Sequence, residues 1–234
     1  MVEGFHSFSV QHFGMLAVLL IITLTAIRVG QKSSDKTKHW VGFSIALMAF
    51  TVMWLDLLYR ILMGVLRIQD DLPLFLCDVV ACLIPLFIYT HNRRWMGILY
   101  FWSIAGTLQA LLTPELKEGF PSPEYFRYFI MHGGIVSAVI YYVVVWKTKI
   151  NWRDCLNAIL YAQIYLITVH LFNLSVGTNY SYTLHKPEGT TVLDLMGPWP
   201  WYLVLSEVLM VILFLLLMLP YLGKRDPEET QRVG

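Results

Sequence analysis

Cys77 and His132 are the two residues of this chain best suited to covalent chemistry, a thiol and an imidazole each embedded in an apolar stretch. A thiol attacks only as its thiolate, and apolar surroundings hold the proton on, so Cys77 needs a base. Asp78 follows it directly, but neighbours on a helix point about 100° apart, which casts Asp78 as a supporting group. His132 sits on another apolar stretch at a similar depth and can take the proton. The bland alternatives stand beside this reading. Buried cysteine is usually inert filler, and His132, followed by Gly133 and Gly134, could simply hydrogen-bond across a tight helix contact.

Other polar residues share the layer. Asp56 and Arg60 are four apart with the acid first, the favoured order for a helical ion pair. They read equally as a structural pair or as a headgroup clamp, because the guanidinium fork matches phosphate. His170 follows Gln163 by seven residues and Asn173 lies three further on, so they form one stripe. That stripe is chamber lining or ordinary helix–helix hydrogen bonding. Glu207 has no charge partner on its own stretch. It is protonated, paired with a cation from elsewhere, or bonded to a histidine. Gln109 completes the set.

The elements that must position these residues are membrane helices. Apolar side chains make up 57% of 234 residues and charged ones only 14%, against roughly a quarter charged in a soluble domain. Seven spans are predicted at 13–29, 40–66, 73–89, 95–112, 125–146, 156–176 and 201–222, each near the length needed to cross the hydrocarbon core. They form one all-α transmembrane domain over residues 1–234. Pro73 suits the first position of the third span, and the long second span is expected to tilt or project. Glu3 ahead of the first apolar run argues against a cleaved signal. Three cysteines give no disulfide framework, and a net charge of +1 gives no nucleic-acid signature.

Loop charge sets the orientation. Lys32, Lys36, Lys38, Arg93, Arg94, Lys147, Lys149, Arg153, Lys224, Arg225 and Arg232 fall on one side. On the other, Arg67, Lys117, Arg127 and Lys186 are offset by acids such as Asp70, Asp71, Glu115, Glu124 and Glu188. The positive-inside rule then puts the amino terminus outside and the carboxy terminus in the cytoplasm. Traced this way, all nine polar residues lie in the outer half of the bilayer. Intramembrane polar groups are costly and mark function by default. The connections at 119–123 and 177–200 lie above them, as a lid or as plain linkers.

Several chemistries are disfavoured. The last span has no lysine for a Schiff base, and no His-x-x-x-His pair or phosphate-cradling glycine loop occurs. A metal held by His132, His170 and Asp78 stays open as an alternative. No cofactor is called for.

The motif blocks at 72–78, 100–114, 119–122, 129–133, 173–180, 186–189 and 197–202, with Met131-His132-Gly133 and Gly197-Pro198-Trp199-Pro200-Trp201 among them, resemble the bacterial YwaF family. That family is related to the transmembrane protein 164 acyltransferases. The resemblance covers nearly the whole chain and implies a multi-pass protein of the bacterial cytoplasmic membrane. It also implies fatty acyl transfer between phospholipids, with Cys77 as acyl acceptor and His132 as its base. Asp78, Gln109, His170, Asn173 and Glu207 would support them, and Asp56 and Arg60 would hold the headgroup or each other. Transfer and hydrolysis both fit, as does a non-enzymatic rival, a small-solute carrier or ligand-binding protein using the same chamber. The expected partner is a membrane phospholipid. Oligomeric state stays open.

Overall fold

The computed structural model describes residues 4–187 and 192–222. Lys224, Arg225 and Arg232 of the tail, and Glu188 and Gly189 of the long connection, lie outside the described residues. Among the described residues the regular elements are helices, joined by turns and irregular chain, with an isolated bridge between Gly4 and Glu118. The main helices are α1 (Val10–Gln31), α2 (Asp35–Leu62), α3 (Leu76–Tyr89), α4 (Arg93–Leu112), α5 (Pro123–Val145), α6 (Trp152–Val176) and α7 (Trp201–Met218). Six of them are long and apolar enough to cross a membrane.

Local chemistry starts and stops these helices. Ser9, Ser34, Asn92, Ser122 and Asn151 each accept a first-turn backbone N–H at the start of α1, α2, α4, α5 and α6. Pro123 opens α5, where its missing N–H costs nothing. Gly177 ends α6 at φ +76°, a left-handed conformation that glycine adopts without strain.

α3 is the exception. Its 14 residues reach only about 21 Å, short of a hydrocarbon core roughly 30 Å thick. Pro73 does not open it. The helix begins at Leu76, and residues 67–75 approach as irregular chain. α2 goes the other way. Its 28 residues extend about 42 Å, so it must tilt or project, as its sequence predicts.

α5 is the axis of the bundle. Phe129, Ile135, Ala138, Val139 and Tyr141 are fully buried on it, the signature of a helix apolar on all sides. Small residues let its neighbours close in. A Cβ added at Gly133 would meet Leu19 Cδ2 at 2.6 Å, and one at Gly134 would meet Ala49 Cβ at 2.9 Å. Thr23 and Ser137 share a 2.7 Å hydroxyl bond between α1 and α5. By contrast, Leu20, Ile21, Leu58, Ile167, Leu171 and Leu216 are exposed on α1, α2, α6 and α7. An apolar exterior of this extent belongs against lipid.

The end of the bundle near the start of α4 is pinned by charge. Arg93 donates to Asp154 at 2.8 and 3.1 Å and to Lys149 O at 2.6 Å, with the Asp154 side chain 2% exposed. Gly97 makes room, since a Cβ there would lie 2.6 Å from Asp154 Cγ. This fork ties α4 to α6.

Gly134→Ala is expected to destabilise the protein by about 1–3 kcal/mol through overpacking against Ala49. Gly14→Ala, where nothing stands within 4 Å, should leave thermal unfolding in detergent unchanged. Equal melting temperatures for the two variants would show that α2 and α5 do not meet as described.

Candidate functional site

Residues 67–75, ahead of α3, carry backbone groups that a helix would have satisfied internally, and other elements supply their partners. Tyr180, fully buried, accepts from Leu72 N at 2.9 Å and donates to Ile68 O at 2.5 Å. Tyr165 donates to Leu74 O at 2.8 Å. Asp71 accepts from Arg67 N at 2.7 Å. Tyr180 is in turn held by Asn173. Asn173 Nδ2 donates to Tyr180 O at 2.9 Å and Thr183 Oγ1 at 2.8 Å. Its Oδ1 accepts from Tyr180 N at 2.9 Å and Thr178 Oγ1 at 2.7 Å. Burial holds the Tyr180 phenol above its usual range, so it keeps the proton that it donates.

This scaffold sets Cys77 in the first turn of α3. Phe75 is the cap residue, and Asp78 accepts from Phe75 N at 3.1 Å. First-turn N–H groups have no partner inside their own helix, and the positive end of the helix dipole favours an anion there. Thr107 Oγ1 donates to Cys77 Sγ at 3.6 Å. Thr107 closes a π-helical segment of α4, Ser103–Thr107. Such segments shift side-chain register and recur at functional sites.

Cys77 and His132 line one cavity of about 450 Å³. His132 is 8% exposed and stacks on Tyr128 with ring centroids 4.1 Å apart. Its Nδ1 lies 2.9 Å from Tyr128 O. A carbonyl only accepts, so Nδ1 carries the proton and Nε2 keeps a lone pair. Among the described residues, no hydrogen bond joins Cys77 to His132 directly. Proton transfer therefore needs a bridging water or a small closure, as is common before substrate binds.

Charge surrounds the cavity. Arg60 bonds Asp56 at 2.9 Å and Asp71 at 3.2 Å, and Arg127 approaches Asp56 at 3.6 Å. The pairing expected between Asp56 and Arg60 is present, within a larger network. Two more lining acids have partners of their own: Asp70 pairs with Arg67 at 2.8 Å, and Glu115 accepts from Tyr182 at 3.1 Å. Burial, then the Glu115 carboxylate, holds the Tyr182 phenol above its usual range.

Of the sequence-predicted residues, Asp56, Arg60, Cys77, Asp78, Gln109 and His132 come together around this cavity. Asn173, His170 and Glu207 are not among its lining. Asn173 is fully buried with both amide hydrogens committed to the 178–183 turn. His170 is half-buried on α6. Glu207 takes a hydrogen bond from Gln163 of α6, an amide rather than a histidine. Among the described residues no three His, Cys, Asp or Glu side chains form a group that could hold a metal ion, so His132, His170 and Asp78 do not assemble one.

Sequence reasoning missed Tyr128 and Arg127 as cavity residues and Thr107 as the partner of the Cys77 sulfur. Tyr128 had a signal, since it precedes His132 by four residues and shares its face. Arg127 was counted as a loop charge. Thr107 had no signal, because a π segment breaks the 3.6-residue period on which facing is read.

Asn173→Ala is expected to leave Tyr180 N and Thr183 Oγ1 without their partner. Each orphaned group costs about 1–3 kcal/mol. The readout is hydrogen exchange at the Leu72 amide, which should speed up along with a lower melting temperature. Unchanged Leu72 exchange would mean that Asn173 does not hold the entry to α3 through Tyr180.

Comparison with curated proteins and with solved structures gives no match. A family model does match, over residues 7–218, and its span takes in the cavity and all but the ends of the chain. This is the relationship that the motif blocks implied: the chain belongs to the TMEM164 family.

Proposed function

We propose that the protein is a membrane lipid acyltransferase, or acyl hydrolase, that works through an acyl-thioester on Cys77. The observation that carries this reading is the shared cavity. A first-turn thiol and an imidazole with a free Nε2, from two different helices, line one cavity of about 450 Å³. His132 Nε2 takes the Cys77 proton, and the thiolate attacks the carbonyl carbon of a glycerolipid ester. The C–O bond then breaks, the lysolipid oxygen takes the proton back from His132, and the acyl group remains on sulfur. A second lipid hydroxyl, or water, attacks the thioester with His132 again as base and restores the thiol.

Supporting roles follow from what each group has free. Gln109 is exposed at the cavity and its side-chain amide makes no hydrogen bond among the described residues, so it can donate to the developing oxyanion. Asn173 cannot, because its donors are spent. Thr107 orients the sulfur and donates to the thiolate. Arg127 suits the headgroup phosphate better than Arg60, which two carboxylates already hold. Loop charge supports seven spans, an outside amino terminus and a cavity facing the outer leaflet. Cytosolic acyl-CoA then has no access, and the acyl donor is a membrane phospholipid. The lack of a direct bond between Cys77 and His132 favours one rival, a binding protein that uses the cavity without covalent chemistry.

Purified protein incubated with labelled phospholipid and quenched in acid should carry a hydroxylamine-sensitive acyl adduct on Cys77. Cys77→Ser should keep the fold and lose turnover. Thr107→Val should lower turnover about 10- to 100-fold, the cost of a hydrogen bond to a charged group. Turnover that survives Cys77→Ser, or an adduct on another residue, rejects the nucleophile.

A further inference from the structure

A second cavity, of about 270 Å³, adjoins the first. Gln109 lines both. Leu76 lines the second while the next residue, Cys77, lines the first. Consecutive residues of a helix turn by about 100°, so one turn of α3 presents a side chain to each space. The chemistry of the walls differs sharply. The first cavity is ringed by carboxylates and guanidinium groups. The second is walled by Leu76, Trp102, Met196, Met210, Leu213 and Phe214, with Gln109 and Ser206 as its polar exceptions. Ser206 turns its hydroxyl to Met196 Sδ at 3.4 Å.

We infer that this second cavity is a binding site for the fatty acyl chain of a membrane lipid, with the chain's carboxyl end at Gln109. The inference deepens the acyl-transfer reading and rests on it for the chemistry, though not for the binding. At about 270 Å³ the space lies just under the ~300–1,000 Å³ of sites that enclose a drug-sized molecule. It therefore takes part of a chain and leaves the glycerol and headgroup to the polar cavity. Two methionines among its walls suit a flexible, variable occupant, because an unbranched thioether repacks easily. The π segment keeps the space open. Ala105 and Gly106 face it, and a Cβ at Gly106 would meet only Leu76 Cδ2, at 3.7 Å. Alanine there is an ordinary contact, whereas a longer side chain must enter the cavity. Gly106 thus sets how much chain the site accepts.

The test uses the full chain carrying Cys77→Ser, in bilayer nanodiscs that contain phosphatidylcholine with a diazirine near the methyl end of one acyl chain. After irradiation, adducts are mapped by mass spectrometry. They are expected on Met196, Met210 or Leu213. Gly106→Leu should cut their yield about tenfold or more, the discrimination that extra methylenes in an apolar pocket bring. Gly106→Ala should leave it unchanged. Leu213→Phe fills the cavity from α7 and should repeat the loss should Gly106→Leu fail to fold. Adducts confined to outward-facing side chains such as Ile212 and Leu216, 47% and 53% exposed, would overturn the assignment. So would cavity adducts indifferent to both filling variants. Because the Cys77→Ser background cannot form a thioester, cavity adducts together with no acyl-cysteine in the wild type would sink the covalent mechanism alone.

Discussion

Everything at the cavity depends on how the backbone of the irregular chain ahead of α3 finds its partners. Hydrocarbon offers no hydrogen bonds, so non-helical backbone survives at membrane depth only where protein supplies the partners. Here the supply runs as a relay. Asn173 spends all four of its hydrogen-bonding positions on the turn after α6. That turn aims Tyr180, and Tyr180 holds both Ile68 O and Leu72 N. Tyr165 and Asp71 complete the hold. The start of α3, and with it Cys77, is placed by side chains 91 to 112 residues away in sequence. A short helix is the consequence: α3 can begin as late as Leu76 because the segment before it has somewhere to put its polar groups.

The same logic governs the charges. Buried carboxylates and guanidinium groups are costly unless matched. Asp56, Asp71, Arg60 and Arg127 form one network, in which each carboxylate meets a guanidinium. Asp78 is occupied by the Phe75 amide and Glu115 by the Tyr182 phenol. An acid-rich lining therefore does not make the cavity a cation trap, because most of its acids are spoken for. Besides the Glu124 carboxylate, the lining then offers the proposed acyl chemistry the Cys77 thiol, the second nitrogen of His132 and the amide of Gln109.

The all-α, multi-span fold was legible because apolar length is a local property. So was the grouping of Asp56, Arg60, Cys77, Asp78, Gln109 and His132, since depth along a helix can be counted from its ends. Rotation could not be counted. Asn173 and His170, placed at the same depth by counting along the sequence, stand outside the lining, and nothing in a single helical stripe says what it faces. Asn173 was a candidate for the right reason, a polar group at depth, and the demand it meets is backbone satisfaction. Pro73 misled as a helix opener because its fixed φ suits an extended entry just as well. The π segment hid Thr107, since facing beyond residue 103 cannot be extrapolated from facing before it.

That π segment also explains why a polar and an apolar cavity can touch. An ordinary helix presents a fixed stripe to each neighbour. Widening one turn at Ser103–Thr107 lets α4 direct Thr107 toward the sulfur while Ala105 and Gly106 face the apolar space. Gln109, just beyond, borders both. An ester bond has the same division, a polar carbonyl between an apolar chain and a charged headgroup. A wall that changes character over a single turn, with the Gln109 amide at the change, is the geometry that the proposed acyl transfer calls for.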